Sequence, residues 1–113
     1  MKASLKINEA ACCAPAGELV DAKASPGFSQ LLRALGDETR FQIIALLASA
    51  SDALCVCEIE ARFDLSQATI SHHLRVLRDA GVVSASKRGT WVYYAVDVDR
   101  VDDLLRIHKV LRR

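Results

Sequence analysis

The sequence has no uninterrupted apolar run near the roughly 20 residues that a membrane-spanning helix requires. Its N-terminus also lacks the charged and then apolar segments that mark a secretory signal peptide. The net charge is only +1, so nucleic-acid binding has to be inferred from local clusters of Lys and Arg. We therefore expect a soluble, cytoplasmic protein with no membrane partner.

Motifs of catalysis are missing as well. The sequence has no Ser-His-Asp order, no glycine loop that could hold a phosphate and no H-E-x-x-H pair. A chain of 113 residues, 51% of them hydrophobic, forms one small core and leaves little room for a concave site. We expect a single domain that is not an enzyme and that gains stability by forming a homodimer.

Composition divides the chain into two segments. Residues 1–25 are rich in Ala and in small or polar residues, and Pro15 and Gly17 interrupt any long helix. This segment is predicted to be an N-terminal arm that carries Cys12 and Cys13. Residues 26–113 contain the periodic patterns and are predicted to form the folded domain.

The first periodic patterns predict two helices. Ser25 and Pro26 suit the start of a helix that Gly36 ends, and Asp37 is a good N-cap for the next helix. Apolar residues recur at helical spacing in the first helix, at Phe28, Leu31, Leu32 and Leu35. The second helix is predicted to be a core helix, with a broad apolar stripe formed by Phe41, Ile44 and Leu47 and by Ile43 and Leu46 beside them.

A helix, a tight turn and a second helix follow. The first of these helices is predicted in CVCEIEARF, with Cys55 and Cys57 at its entrance. Ser66 is a good N-cap for QATISHHLRVLRDAG, and Gly81 ends that helix. The core side of this second helix is formed by Ile70, Leu74 and Leu77.

A hairpin and a last helix complete the domain. VVSASK and TWVYYAV flank Arg88 and Gly89, which is typical of a β-hairpin. From Asp99, a final helix places its apolar positions on one side, namely Val101, Leu104, Leu105, His108 and Leu111. The fold class is therefore mainly α with a small β-hairpin, in the order of a dimeric winged helix-turn-helix.

The second helix of such a motif enters the major groove of double-stranded operator DNA, where Gln, Ser, Thr and Arg side chains read base edges or grip phosphates. Adjacent histidines on a helix point about 100° apart, so His72 and His73 cannot chelate one ion together. Lys87 and Arg88 at the hairpin tip are either phosphate contacts or solvated turn residues, and the helix face is either a DNA interface or a solvated face. The predicted DNA-contacting residues are Ser66, Gln67, Thr69, Ser71, His72, His73, Arg75, Lys87 and Arg88.

Three stretches resemble the ArsR/SmtB family of metal-sensing bacterial repressors: ALGDETRFQIIALL, then LCVCEIEARFDLSQATISHHLRVLRDAGVV, and KRGTWVYYAV. The resemblance runs from about residue 28 to residue 105. It implies a dimeric winged helix that represses its own operon and releases DNA when an inducer binds. It also implies that the first and last helices form the dimer interface.

The cysteines predict a thiolate site for a soft ion. In a reducing cytosol, Cys12, Cys13, Cys55 and Cys57 are better explained by metal binding, redox sensing or packing than by disulfides. No C-x₂-C pair of a zinc knuckle is present, and thiolates select As(III), Sb(III), Cd(II) or Pb(II) over Mg²⁺ or Ca²⁺.

The family resemblance indicates how such a site is assembled. ArsR-like arsenic sensors carry a third cysteine where this sequence has Glu60, so a thiolate from the arm is implied. We place the As(III) or Sb(III) site on Cys12, Cys13 and Cys55, with Cys57 as a fourth ligand if the ion is Cd(II) or Pb(II).

The sequence is also compatible with other roles for these residues. Cys57 could be a packed core residue, the arm cysteines could be unimportant, or the thiols could form a redox switch near Arg62. The zinc site of the family across its last helices is incomplete, because Asp97 and His108 lack the second acidic residue. His108 is then an interface residue. A winged helix that binds protein instead of DNA is the remaining rival.

Overall fold

The computed structural model describes residues 27–112. The predicted Ser25 cap and Pro26 helix start, like Cys12 and Cys13, lie outside these residues. Helix α1 (Phe28–Leu35) is followed by α2 (Glu38–Ser49), strand β1 (Leu54–Cys55), α3 (Val56–Glu60) and α4 (Gln67–Asp79). Strands β2 (Val83–Arg88) and β3 (Trp91–Val96) precede α5 (Val98–Asp102) and α6 (Leu105–Leu111).

The predicted helix ends are confirmed by hydrogen bonds at the caps. The Asp37 carboxylate accepts from the Arg40 amide at 3.0 Å, and the Ser66 hydroxyl accepts from the Thr69 amide at 3.1 Å. Gly81, just after α4, has φ of 81°, a backbone conformation in which residues other than glycine are strained. The chain therefore turns sharply from α4 into the hairpin.

The hairpin is part of a three-stranded antiparallel sheet in the order β1-β3-β2. Sequence patterning missed β1, because a strand of two residues has no periodicity to detect. It pairs Leu54 with Tyr94 and Cys55 with Tyr93. The start of α3 is thereby joined directly to the hairpin.

One hydrophobic core lies between the helices and the sheet. Leu31, Ile43, Ile59, Ile70 and Val82 are fully buried within it. The prediction that Phe41 belongs to this core is wrong, since its side chain is 59% exposed. Two other residues of the predicted stripe on α2, Ile43 and Leu47, are buried as expected.

The single last helix predicted from Asp99 is also wrong, because the segment divides into α5 and α6. At the division, the Leu104 amide donates to the Val101 carbonyl and the Arg106 amide to the Asp103 carbonyl. These bonds span three residues, so the backbone tightens into a 3₁₀-like turn. Within residues 27–112, no helix is long and apolar enough to cross a membrane.

Candidate nucleic-acid interface and thiol site

One face of α4 is open to solvent. Ile70, Leu74 and Leu77 are at most 1% exposed and hold the opposite face against the core. Gln67, Ser71 and Arg75 follow each other at intervals of four residues and are all exposed, as is His72. Because residues four apart lie on the same side of a helix, these side chains form a polar row that can enter a groove of DNA.

The hydroxyl groups at the start of α4 have a structural role. The Ser66 hydroxyl donates to the Thr69 hydroxyl at 2.9 Å while it accepts from the Thr69 amide. Such caps satisfy an amide at the helix start that has no partner in the helix. Ser66 and Thr69 lie at the N-terminus of α4, where free backbone amides can face a phosphate.

The two histidines of α4 point in different directions, as the helix geometry predicts. His72 is exposed, whereas His73 is half-buried with its Nδ1 at 3.3 Å from Nη1 of Arg40 on α2. Burial lowers the pKa of His73, and the Asp37 carboxylate opposes that shift only in part. His73 therefore packs α4 against α2 as a neutral ring.

Arg40 and Arg100 fix the elements around α4, and neither was predicted from the sequence to have a role. Nε of Arg40 donates to the Ala34 carbonyl at 2.7 Å. Arg100 on α5 donates from Nε to the Ala80 carbonyl at 3.0 Å and from Nη2 to the Gly27 carbonyl at 2.9 Å. The two Arg100 contacts span 20 and 73 residues of sequence, so no local pattern could have revealed them.

The basic residues of the hairpin differ in their surroundings. Lys87 is exposed opposite Val92. Arg88 lies opposite Trp91, and its guanidinium carbon is 4.5 Å from the centre of the Tyr93 ring. A cation held over an aromatic face in this way is attracted by the ring. Arg88 thus folds back over β3, while Lys87 makes no hydrogen bond or ion pair within residues 27–112.

Cys55 and Cys57 bring two sulfur atoms together at the start of α3. Their Sγ atoms are 2.9 Å apart. Cys55 is the N-cap, and Oε1 of Glu58 accepts from the Cys55 amide at 2.8 Å. Cys55 is buried and Cys57 is exposed. The packed-core alternative for Cys57 is therefore wrong, and Cys55 is the cysteine that contributes to packing.

The protonation of Cys57 bears on the redox alternative. Its hydrogen bond with the Cys55 thiol raises the pKa of Cys57 above the usual range. A redox switch favours a thiol of depressed pKa beside a cation, and Arg62 is not among the groups that shift this one. No role for Glu58 was predicted from the sequence. It lies three residues after the N-cap Cys55, which is the spacing of a capping box.

The thiol pair opens into a surface groove of about 410 Å³. Besides the two cysteines, the groove is lined by Asp52, Ala53, Glu58, Arg88, Trp91 and Tyr93. Among residues 27–112, no three His, Cys, Asp or Glu side chains are placed to hold one ion. Two thiols fit a soft ion, and a further thiolate would have to come from elsewhere in the chain or its partner.

The residues of the incomplete zinc motif serve other purposes. The Asp97 carboxylate accepts from the amides of Asp99 and Arg100 and caps α5. His108 is exposed on α6. The structure does not bring the two together as a site within the described residues.

Helices α3 and α4 are joined by a short turn, one face of α4 is exposed to solvent, and a hairpin with basic residues at its tip follows α4. This arrangement defines a winged helix-turn-helix transcriptional regulator. The sequence profile of the ArsR family of bacterial regulatory proteins matches residues 37–85. A Halobacterium salinarum protein named as a putative arsenical resistance operon repressor is 39% identical over 105 residues, which cover 88% of this chain and 87% of that protein. This chain belongs to the ArsR family, and it is a transcriptional regulator and not an enzyme.

Two further similarities extend the comparison. A Staphylococcus aureus protein named as a homologue of a cadmium resistance transcriptional regulatory protein is 39% identical over 85 residues, covering 74% of this chain and 69% of that protein. A Mycobacterium bovis domain, described as the homodimeric winged helix-turn-helix DNA-binding domain of a possible ArsR-family regulator, superposes with a TM-score of 0.62. It is 28% identical and covers 75% of this chain and 77% of that one.

Proposed function

We propose that this chain is a cytoplasmic repressor that binds double-stranded operator DNA as a homodimer and leaves it when As(III) or Sb(III) binds cysteine thiolates. The observation that carries the proposal is the pair of sulfur atoms 2.9 Å apart at the start of α3. Residues 1–25 would be the arm that supplies Cys12 and Cys13, and residues 26–113 the DNA-binding domain.

The polar row on α4 is the proposed reader of base edges. Gln67 and Ser71 would approach bases and Arg75 a guanine or a phosphate, with His72 beside them. Lys87 and Arg88 of the hairpin would grip phosphates. Ser66, Thr69 and His73 would act mainly by placing the helix, since their polar atoms are already engaged within the protein.

The terminal helices α1 and α6 would form the dimer interface. Leu32 of α1 and Leu105, Val110 and Leu111 of α6 are 40%, 67%, 41% and 77% exposed. Phe28, Leu32, Ile107, Val110 and Leu111 line one shallow groove between these helices. Apolar side chains exposed side by side mark an interaction surface, and a two-fold dimer matches a pseudo-palindromic operator with half-sites about one helical turn apart.

The position of the thiol pair explains how binding could reach the DNA-reading helix. Cys55 is the N-cap of α3, and Ile59 of α3 is fully buried in the same core cluster as Ile70 of α4. Drawing the sulfur atoms toward an ion and toward the arm would shift α3 against α4. A coupling free energy of about 1–3 kcal/mol is enough to lower operator occupancy several-fold.

The test is operator binding followed by fluorescence anisotropy, with arsenite as the added probe. Cys55→Ser and the double variant Cys12→Ser/Cys13→Ser should bind operator like the wild type and fail to leave it when arsenite is added. His108→Ala should respond normally and is the matched control. Release of the double variant at the wild-type arsenite concentration would show that the arm has no sensing role.

A Cd(II) or Pb(II) sensor is the second candidate, because Cys57 is exposed beside Cys55. Together with the arm, the chain can then offer four thiolates, which suits these larger soft ions. Cys57→Ser should weaken the response to Cd(II) at least tenfold if four thiolates bind, and should leave the arsenite response unchanged. Equal responses to Cd(II) with and without Cys57 would exclude the four-thiolate site.

A further inference from the structure

His73 connects the DNA-reading helix α4 to α2. Its side chain is half-buried between the two helices, with Nδ1 at 3.3 Å from Nη1 of Arg40. A guanidinium group donates hydrogen bonds and cannot accept them, so Nδ1 must be the acceptor and the ring proton must be on Nε2. The contact therefore requires a neutral imidazole ring.

The guanidinium of Arg40 is itself held in place by α1. Its Nε donates to the Ala34 carbonyl at 2.7 Å and its Nη2 to the Arg33 carbonyl at 3.3 Å. Both carbonyls belong to the last turn of α1, where the backbone oxygens carry the negative end of the helix dipole and favour a cation. Moving the guanidinium away from His73 would break both bonds, so Arg40 is a fixed positive charge beside the ring.

The charged or titratable groups that act on the His73 ring within residues 27–112 are Asp37 and Arg40 of α2 and His72 of α4. Burial of the ring has the largest effect and disfavours the charged form. Asp37 attracts a proton to the ring, whereas Arg40 and His72 repel it. The balance lowers the pKa of His73, so the docked position of α4 favours the neutral ring.

Protonation of the ring would reverse the contact with Arg40. Both nitrogens of an imidazolium carry a hydrogen, so a donor would face a donor, and two cations would meet across the 3.3 Å that separates the nitrogen atoms. Because Arg40 is bound to α1, α4 is the element that has to move. His73 is two residues from both Ser71 and Arg75, so a shift there displaces the polar row that faces DNA.

We propose that His73 is a positioning residue that keeps α4 in place for operator binding only while its ring is neutral, and that protonation of the ring releases the operator. The inference rests on the proposed reading of operator DNA by α4, but it involves no ion and none of the cysteines. The docked state of α4 binds a proton less readily than the displaced state. Lowering the pH therefore favours the displaced state.

The size of the effect is limited by the ordinary proton affinity of histidine. At pH 5.5, one unit below the usual histidine pKa of 6.5, a histidine without partners is about ten times more often protonated than neutral. One ring can therefore weaken operator binding by at most about tenfold between pH 7.5 and pH 5.5. A homodimer carries two such rings, and the docked ring also takes up some protons, so we expect a combined loss of about tenfold.

The experiment measures the affinity of the full-length protein for a fluorescently labelled DNA duplex from the promoter of its own gene. Anisotropy is recorded at pH 7.5 and pH 5.5 at one ionic strength, and each protein is compared with itself. The wild type should lose about tenfold. His73→Asn places an oxygen that does not titrate near the position of Nδ1 and should lose less than twofold. Circular dichroism and sedimentation at pH 5.5 check that each protein is folded and dimeric.

The other two histidines of the chain provide matched controls. His72 and His108 are both exposed. A proton on His72 would add positive charge to the face that meets phosphates and strengthen binding, so His72→Asn should not diminish the loss at low pH. His108→Asn should leave the loss unchanged. An unchanged loss in His73→Asn, or its disappearance in either control variant, would overturn the proposal.

A measurement without DNA separates this inference from the proposed function. In an NMR titration of the wild type, the His73 ring should titrate below the usual histidine value, and its pKa should rise in Arg40→Gln. If the duplex is bound at pH 7.5 with no loss at pH 5.5, this inference fails and the proposed function stands. If no duplex is bound at either pH, the proposed function fails, and a His73 ring that titrates at or above the usual value would also refute the histidine contact.

Discussion

Replacing Arg100 by Met tests whether one guanidinium holds α1 and α5 to α4. Arg100 lies on α5, and its three nitrogen atoms contact three different places. Nε donates to the Ala80 carbonyl at the end of α4, Nη2 to the Gly27 carbonyl at the start of α1, and Nη1 pairs with the Asp103 carboxylate at 2.8 Å. Met keeps an apolar stem of similar length and removes all three contacts.

The size of the loss follows from the exposure of each contact. Hydrogen bonds from a charged donor contribute about 1.5–3 kcal/mol each when desolvated, but the Arg100 side chain is 24% exposed and water can replace part of each bond. The pair with Asp103 is a partly exposed ion pair of about 0–1 kcal/mol. We expect the free energy of unfolding to fall by about 2–3 kcal/mol, a large part of the 5–15 kcal/mol typical of a domain.

Urea denaturation at one fixed protomer concentration measures this loss, because a dimer's apparent stability depends on concentration. Arg75→Met is the matched control, since Arg75 is exposed and makes no hydrogen bond within the described residues, and it should change stability by less than about 0.5 kcal/mol. Asp103→Asn should cost no more than about 1 kcal/mol. A loss for Arg100→Met no larger than that of Asp103→Asn would refute the three-way clamp.

The remaining predictions concern α4 and its surroundings. Arg75→Ala should weaken operator binding by about 1–3 kcal/mol in gel shifts while the dimer stays intact by sedimentation, and unchanged affinity would remove Arg75 from the interface. Ser66→Ala should lower the free energy of unfolding by about 1 kcal/mol through loss of the cap, whereas Ser66→Asp should restore it; equal stability of all three proteins would contradict the capping role. Because burial lowers the pKa of His73, the unfolded chain binds a proton more readily there, so stability should be lost as pH falls below about 6.5. His73→Gln should reduce the difference in the free energy of unfolding between pH 5.5 and pH 7.5, measured by urea titration. An unchanged difference would show that other groups control this pH dependence.

Local signals in the sequence were enough for most element boundaries. The caps Asp37 and Ser66 and the turn at Gly81 depend on atoms within a few residues of each other, so composition and spacing predict them. The same holds for the polar row on α4, because a helix fixes which residues share a face. The sequence also predicts the nearness of Cys55 and Cys57, but not which of them is buried.

Tertiary structure alone decided what lies around those elements. The pairing of Cys55 with Tyr93 joins residues 38 positions apart and brings the thiols beside Trp91 and Arg88, which no periodicity can foresee. Phe41 faces outward although its spacing fits the core stripe, because the neighbouring elements select the face that Ile43 and Leu47 occupy. Arg100 takes its role from the Ala80 and Gly27 carbonyls, which only folding places within its reach. Sequence therefore determined the helix caps, the turn at Gly81 and the exposed polar row on α4, which are local properties. The groove and the Arg100 contacts arise only where distant segments meet.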